Sequence, residues 1–123
     1  MAAPNIIGAT TINGKTTGAN LTTTAATTVL NNASGSGKCL KVNVLNVSNY
    51  GALNATITVG YYNAANIGGT LFQLVGNVSV PSYSTLNVID KTSQYYLEEN
   101  SSLGATAGIA NTLCVTCSYE DIS

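Results

Sequence analysis

The sequence predicts an all-β protein: an antiparallel β-sandwich or jelly roll of about eight strands with an extended N-terminal arm. Three observations carry this expectation. From Cys39 onward apolar side chains recur at every second position, the period of a half-buried strand. Turn residues divide the chain about every ten to twelve positions, the spacing of sandwiches and jelly rolls. No segment carries the period of an amphipathic helix.

Residues 1–28 read as an arm or outer hairpin, and 29–123 as the sandwich domain. The first part is rich in Thr, Ala, Gly and Asn, with Ile6, Ile7 and Ile12 as its only bulky apolar anchors before Leu21. Asn13-Gly14 is the dipeptide that favours a tight hairpin turn. Thr22 to Leu30 reads as a strand, because Thr and Val suit a pleated surface, and Asn31 to Gly37 as a loop. Leu40, Val42 and Val44 alternate with polar neighbours, then Leu45 and Val47 shift the parity, which predicts a bulge or a strand changing sheets. Leu53 to Tyr61 is the cleanest alternation. Asn63 to Gly69 reads as a loop, and Thr70–Val75 and Asn77–Val80 as strand segments broken by Gly76 and closed by Pro81. Thr85–Ile89, Tyr95–Glu98 and the run from Ile109 to Tyr119 complete the set.

Composition narrows function. Only nine of the 123 residues are charged, four Lys and five Asp/Glu, with no His, whereas an average soluble domain is about a quarter charged. Four lysines standing largely apart give no footprint for nucleic acid. No apolar run is long enough to span a membrane, and the start lacks the basic and apolar regions of a signal peptide. Neutral polar groups cost less to desolvate against a partner than ions do, so the surface suits close contact. A Ser or Cys nucleophile would lack an imidazole base, and the expectation is a protein that is not an enzyme.

The chemical motifs fail on inspection. Ser34-Gly35-Ser36-Gly37-Lys38-Cys39 approaches a phosphate loop, but Asn32 and Cys39 occupy positions that need Gly and Ser/Thr, and a strand follows. Cys114 and Cys117 have C-x-x-C spacing, yet residues three apart on a strand face opposite ways and stand ~10 Å apart, too far for a disulfide. No further Cys pair or His completes a zinc set, so free thiols are expected, with Cys117 in the core. Glu98-Glu99 and Glu120-Asp121 read as solvated turn and tail charges without a calcium pattern. No cofactor or metal site is expected. Tyr61-Tyr62 and Tyr95-Tyr96 each place one ring inward and one outward on a strand, and Tyr62 and Tyr96 are candidate contact residues.

Three stretches then carry a resemblance: Val80 to Val88, Tyr96-Leu97-Glu98-Glu99-Asn100-Ser101-Ser102-Leu103, and Ala110 to Glu120. They resemble small β-sandwich virion proteins of tailed bacteriophages, over roughly residues 38–122. The resemblance implies a head decoration (cement) protein, or a neck or tail accessory protein, with no catalytic residues to transfer. Its implied partners are the major capsid protein or other virion subunits, its place the virion after synthesis in the host cytoplasm, and its state a homo-oligomer, a trimer among the options. On that footing Asn5, Ile6 and Ile7 are expected to tie the arm to a neighbouring subunit. The competing expectation is a carbohydrate-binding sandwich that uses exposed Tyr and Asn.

Overall fold

The computed structural model describes residues 5–123. Nine strands follow one 3-10 turn at Ile6–Gly8: β1 Ile12–Leu21, β2 Thr27–Asn32, β3 Cys39–Asn49, β4 Ala55–Ala64, β5 Gly68–Val80, β6 Thr85–Ile89, β7 Tyr95–Leu97, β8 Ser101–Ala107 and β9 Leu113–Ile122. Every pairing is antiparallel. One sheet runs β1-β9-β3-β6, with β7 also on β3, and the other runs β2-β8-β4-β5. β6 and β7 line the same edge of β3, against Leu45–Ser48 and Leu40–Val42, so they act as one strand interrupted at Asp90–Gln94. Counted so, there are eight strands, and their order is that of a jelly roll: the β4–β5 hairpin lies innermost in the wrap and β1–β9 outermost.

Alternation builds the core between the sheets. Ile57 and Val59 on β4, Val42, Leu45 and Val47 on β3, and Leu113, Val115 and Cys117 on β9 are all fully buried. Burying each of the larger side chains contributes about 1.5–3 kcal/mol. The parity change in β3 is a bulge: the register with β9 slips between Val42 and Val44, and the strand stays in its sheet. The extra residue lets Val42 and Leu45 both point inward.

β8 was not expected from sequence. Ser101-Ser102-Leu103-Gly104-Ala105-Thr106-Ala107 has a single bulky apolar residue, Leu103, yet it is central in its sheet and almost wholly buried. Its small residues answer to crowding: a Cβ at Gly104 would stand 2.7 Å from Ile67 and 2.8 Å from Tyr62.

The N-terminal part differs most from expectation. Residues 1–4 lie outside the described residues, and Asn13-Gly14 makes no turn. Both sit in β1, paired residue for residue with β9 from Ile12↔Ile122 to Leu21↔Leu113. Ten residues of ladder outweigh one dipeptide's turn preference, so residues 12–21 are an edge strand of the sandwich and not an arm. The turn falls at Thr22–Ala26 and β2 begins at Thr27. Similarly, Leu53, Ile109 and Asn111 belong to loops, and Gly76 bulges β5 without ending it.

Candidate contact surfaces

The sandwich has two poles, each pinned by one buried asparagine that crosses between sheets. At the first, Asn32 of β2 donates to the carbonyls of Lys38 and Leu97, at 2.9 Å each, and accepts from the Ser36 hydroxyl. At the second, Asn49 of β3 donates to the carbonyls of Leu53 (2.8 Å) and Val80 (2.9 Å) and accepts from the Gly51 N–H. Both residues are 2% exposed. An amide suits this position because it satisfies two carbonyls, one of them buried, and one donor without bringing in charge.

The Asn32 pole collects the ions. Asp121, 4% exposed, accepts through Oδ2 from Lys15 at 2.9 Å and Lys38 at 3.2 Å. Its Oδ1 has no hydrogen-bond partner among the described residues. The hydrogen bond from Lys15 and the charge of both lysines hold the Asp121 carboxyl below its ordinary range, and Asp121 raises Lys15 in return. Glu120 faces Lys41 at 3.8 Å and accepts from Asn43, and Glu99 accepts from the Gly37 N–H. Two expectations are corrected here. Lys15 and Lys38 do not stand apart, because antiparallel pairing brings β1 and the β2–β3 loop onto β9. Asp121 is an interior group of a strand, not a solvated tail charge.

The 3-10 turn sits at the same pole. The Asn5 side chain caps it by accepting from the Ile7 N–H at 3.1 Å. Ile6 is 41% exposed and Ile7 96% exposed. Thr10 and Thr11 both donate their backbone N–H to the Ser123 carbonyl at 2.8 Å, which ties this segment to the end of β9.

The Asn49 pole carries no charge at all. It is built from Thr22–Ala26, Tyr50–Asn54, Pro81–Ser84 and Gly108–Thr112, none of which contains Lys, Asp or Glu. Backbone bonds from Asn49 to Ser84, Tyr50 to Thr112 and Asn111 to Leu21 gather these loops. Tyr50, Leu53, Tyr83 and Ile109 project from them, exposed by 48, 64, 75 and 37%. Tyr83 is third in a turn closed by Ser84 N–H on the Pro81 carbonyl, at φ +56°. Glycine is the usual residue there, and a bulky side chain costs about 1–3 kcal/mol. The turn tolerates that cost while holding the ring in solvent.

The two tyrosine pairs diverge. Tyr61 packs against the core and Tyr62 lies half-buried on the outer face, over Gly104. Tyr95 and Tyr96 are both exposed, at 43 and 49%, and Leu97 supplies the buried side chain. Tyr95 shares the core face with Leu97, opposite Val42, and Tyr96 faces out; the inward ring stays exposed because three-residue β7 lies on a sheet edge. The candidates therefore fall apart in space: Asn5, Ile6 and Ile7 at the charged pole, Tyr96 beside Lys41 on an edge, Tyr62 on the opposite sheet. Tyr50, Leu53, Tyr83, Ile109 and both buried asparagines were not singled out from sequence. Leu53 and Ile109 extend the alternation of neighbouring strands, and only the fold reveals them as loop residues.

All three cysteines are free. Cys117 is buried, which pushes its thiol up to about 12, and Cys39 is raised for the same reason. Among the described residues no cluster of three or more His, Cys, Asp or Glu could hold a metal. Nor, among them, is any helix long and apolar enough to cross a membrane. No family model and no curated protein matches this chain.

Proposed function

We propose that this chain is a virion structural protein, a capsid decoration (cement) protein that binds a coat lattice in many copies and stabilises it. The observation that carries the reading is the uncharged pole, where four loops present Tyr50, Leu53, Tyr83 and Ile109 without one ion to desolvate. Such a surface gives a modest contact per copy, and repetition over a lattice multiplies it. The jelly-roll order is shared by viral capsid and lectin domains, so topology alone does not choose between them. The partner in this reading is the major capsid protein, the location is the virion, and the work is contact without catalysis.

Quantitative mass spectrometry of intact particles tests it. Hundreds of copies per particle support decoration, about a dozen would make it a neck or tail component, and none would sink both. Attachment through neutral groups also withstands salt, since screening acts on ions. Release by moderate NaCl alone would contradict the neutral contact. One observation favours a second reading. Tyr83, thrust into solvent beside Ser82 and near Asn54, whose side chain accepts from the Ser82 N–H at 3.0 Å, offers a ring and amides to a neutral sugar. Glycan-array binding without particle association would select that reading.

A further inference from the structure

The sandwich has two open sides, where an edge of one sheet faces an edge of the other, and they are finished differently. On the β1/β2 side the core closes: Leu21, Val29, Leu30 and Asn32 are all buried. On the side of β5, β6 and β7 it does not. Phe72 pairs across the ladder with Tyr61, Val78 with Ile57, and Tyr95 with Val42. Opposed residues share a face of their sheet. Ile57 and Val42 are fully buried and Tyr61 packs against the core, so all three partners stand on the core face. Yet Phe72, Val78 and Tyr95 are 53, 36 and 43% exposed. Leu86 and Val88 of β6 are likewise only partly buried against the core. This is interior surface left uncovered.

We propose that a second copy of this chain covers that side, with β5 of one molecule against β5 of the other about a twofold axis. Charge is the first argument. No charged residue occurs between Lys41 and Asp90, so β4, β5 and β6 are wholly neutral and two β5 edges meet without like-charge contact, Asp90 and Lys91 lying in the β6–β7 link. Complementarity is the second. An antiparallel twofold matches an edge strand's donors to its own acceptors, which makes the same chain a sufficient partner. Free edges are ordinarily guarded by Lys, Pro, shortness or bulges, and of these β5 has only a bulged middle. β5 runs for thirteen residues with no Lys and no Pro. Its register with β4 slips in the middle and is regular at Leu71–Gln73 and Val78–Val80, the two stretches that carry Phe72 and Val78. Length is the third argument: thirteen residues of strand span ~43 Å, about twice the ~17–20 Å of an ordinary strand.

The test is sedimentation equilibrium of the full chain at high micromolar concentration. The expected result is a species of twice the chain mass. Phe72→Lys and Val78→Lys, each placing a charge on a half-exposed position, weaken dimerisation at least about thirtyfold, the loss typical of a central hot spot. Ser34→Lys, in an exposed loop away from this side, leaves the dimer intact. Circular dichroism confirms that each variant is folded, and one lysine variant that folds suffices for the comparison. A monomeric or trimeric wild type, or a dimer indifferent to both substitutions, overturns the proposal. The result stands apart from the particle reading, since the measurement contains this chain alone.

Discussion

The two poles of the sandwich solve one mechanical problem with one device and then diverge in chemistry. Asn32 and Asn49 each staple one sheet to the other through one buried carbonyl, that of Leu97 or Val80, and hold a neighbouring loop carbonyl as well. Around Asn32 the chain adds Lys15, Lys38, Lys41, Glu99, Glu120 and Asp121; around Asn49 it adds only Thr, Asn, Ser, Gly and exposed apolar groups. The stapling amide is therefore what the jelly roll requires at each end, and the ions are what one end adds to it. Stability at the charged pole responds to pH, and stability at the neutral pole does not.

The largest expected effect breaks the staple itself. Asn49→Ala removes three hydrogen bonds and leaves the Val80 carbonyl buried and unpaired, a loss of about 3 kcal/mol in the unfolding free energy read from urea denaturation. Asn32→Ala costs a similar amount, which checks that the two ends are mechanically alike. Asp121→Asn comes next, at about 1–2 kcal/mol after allowing for solvent screening of two half-exposed ammonium groups. Its effect is confined to the charged pole, so hydrogen exchange accelerates along β1 and leaves the Asn49 loops unchanged.

Acid titration sharpens the contrast. The folded Asp121 carboxyl lies below its unfolded value of about 3.9, so its contribution is complete above that pH and is lost as pH falls through the folded value. Asp90, lowered by its bonds with Thr92, titrates in the same direction. Thermal melts from pH 7 to pH 3 fall in the wild type and in Asn49→Ala alike. Asp121→Asn flattens that fall and leaves the part due to Asp90. Thiol labelling supplies a control independent of both poles. Cys117, with its thiol near 12, stays unmodified by iodoacetamide at about pH 8 until denaturant is added, because only the thiolate reacts.

The smallest effect belongs to the neutral pole. Tyr83→Gly relieves the positive φ and stabilises the fold by about 1 kcal/mol, the strain released less the chain entropy that glycine adds, while removing its most exposed ring. A variant that is more stable yet attaches less well to particles would show that the turn holds Tyr83 for contact.

How far the sequence foretold this depends on what each residue answers to. Period-two alternation from Cys39 marked β3, β4, β6 and β9, and the bulge in β3, because these strands have one buried and one wet face. β8 escaped because both of its faces are crowded, which selects Ser, Gly and Ala and erases the alternation. β1 escaped because its partner lies about a hundred residues away, beyond any local signal. The same distance hid the Lys15–Lys38–Asp121 cluster. The uncharged pole hid for another reason: in the sequence the scarcity of charge belongs to the whole chain, whereas in space it is sharply partitioned.

The closure at Ser123 has a consequence for connectivity. Its backbone pairs with Thr10 and Thr11, so the start of β1 and the end of β9 already lie side by side as though joined by a missing hairpin turn. With residues 1–9 removed, a short glycine-containing linker from Ser123 to Thr10 would make the chain circular. Opening it again within the exposed Asp90–Gln94 link, where β6 and β7 are already separate, gives a circular permutant with every ladder intact. In that permutant β1 and β9 become neighbours in sequence, and the longest-range pairing of the fold becomes its most local one.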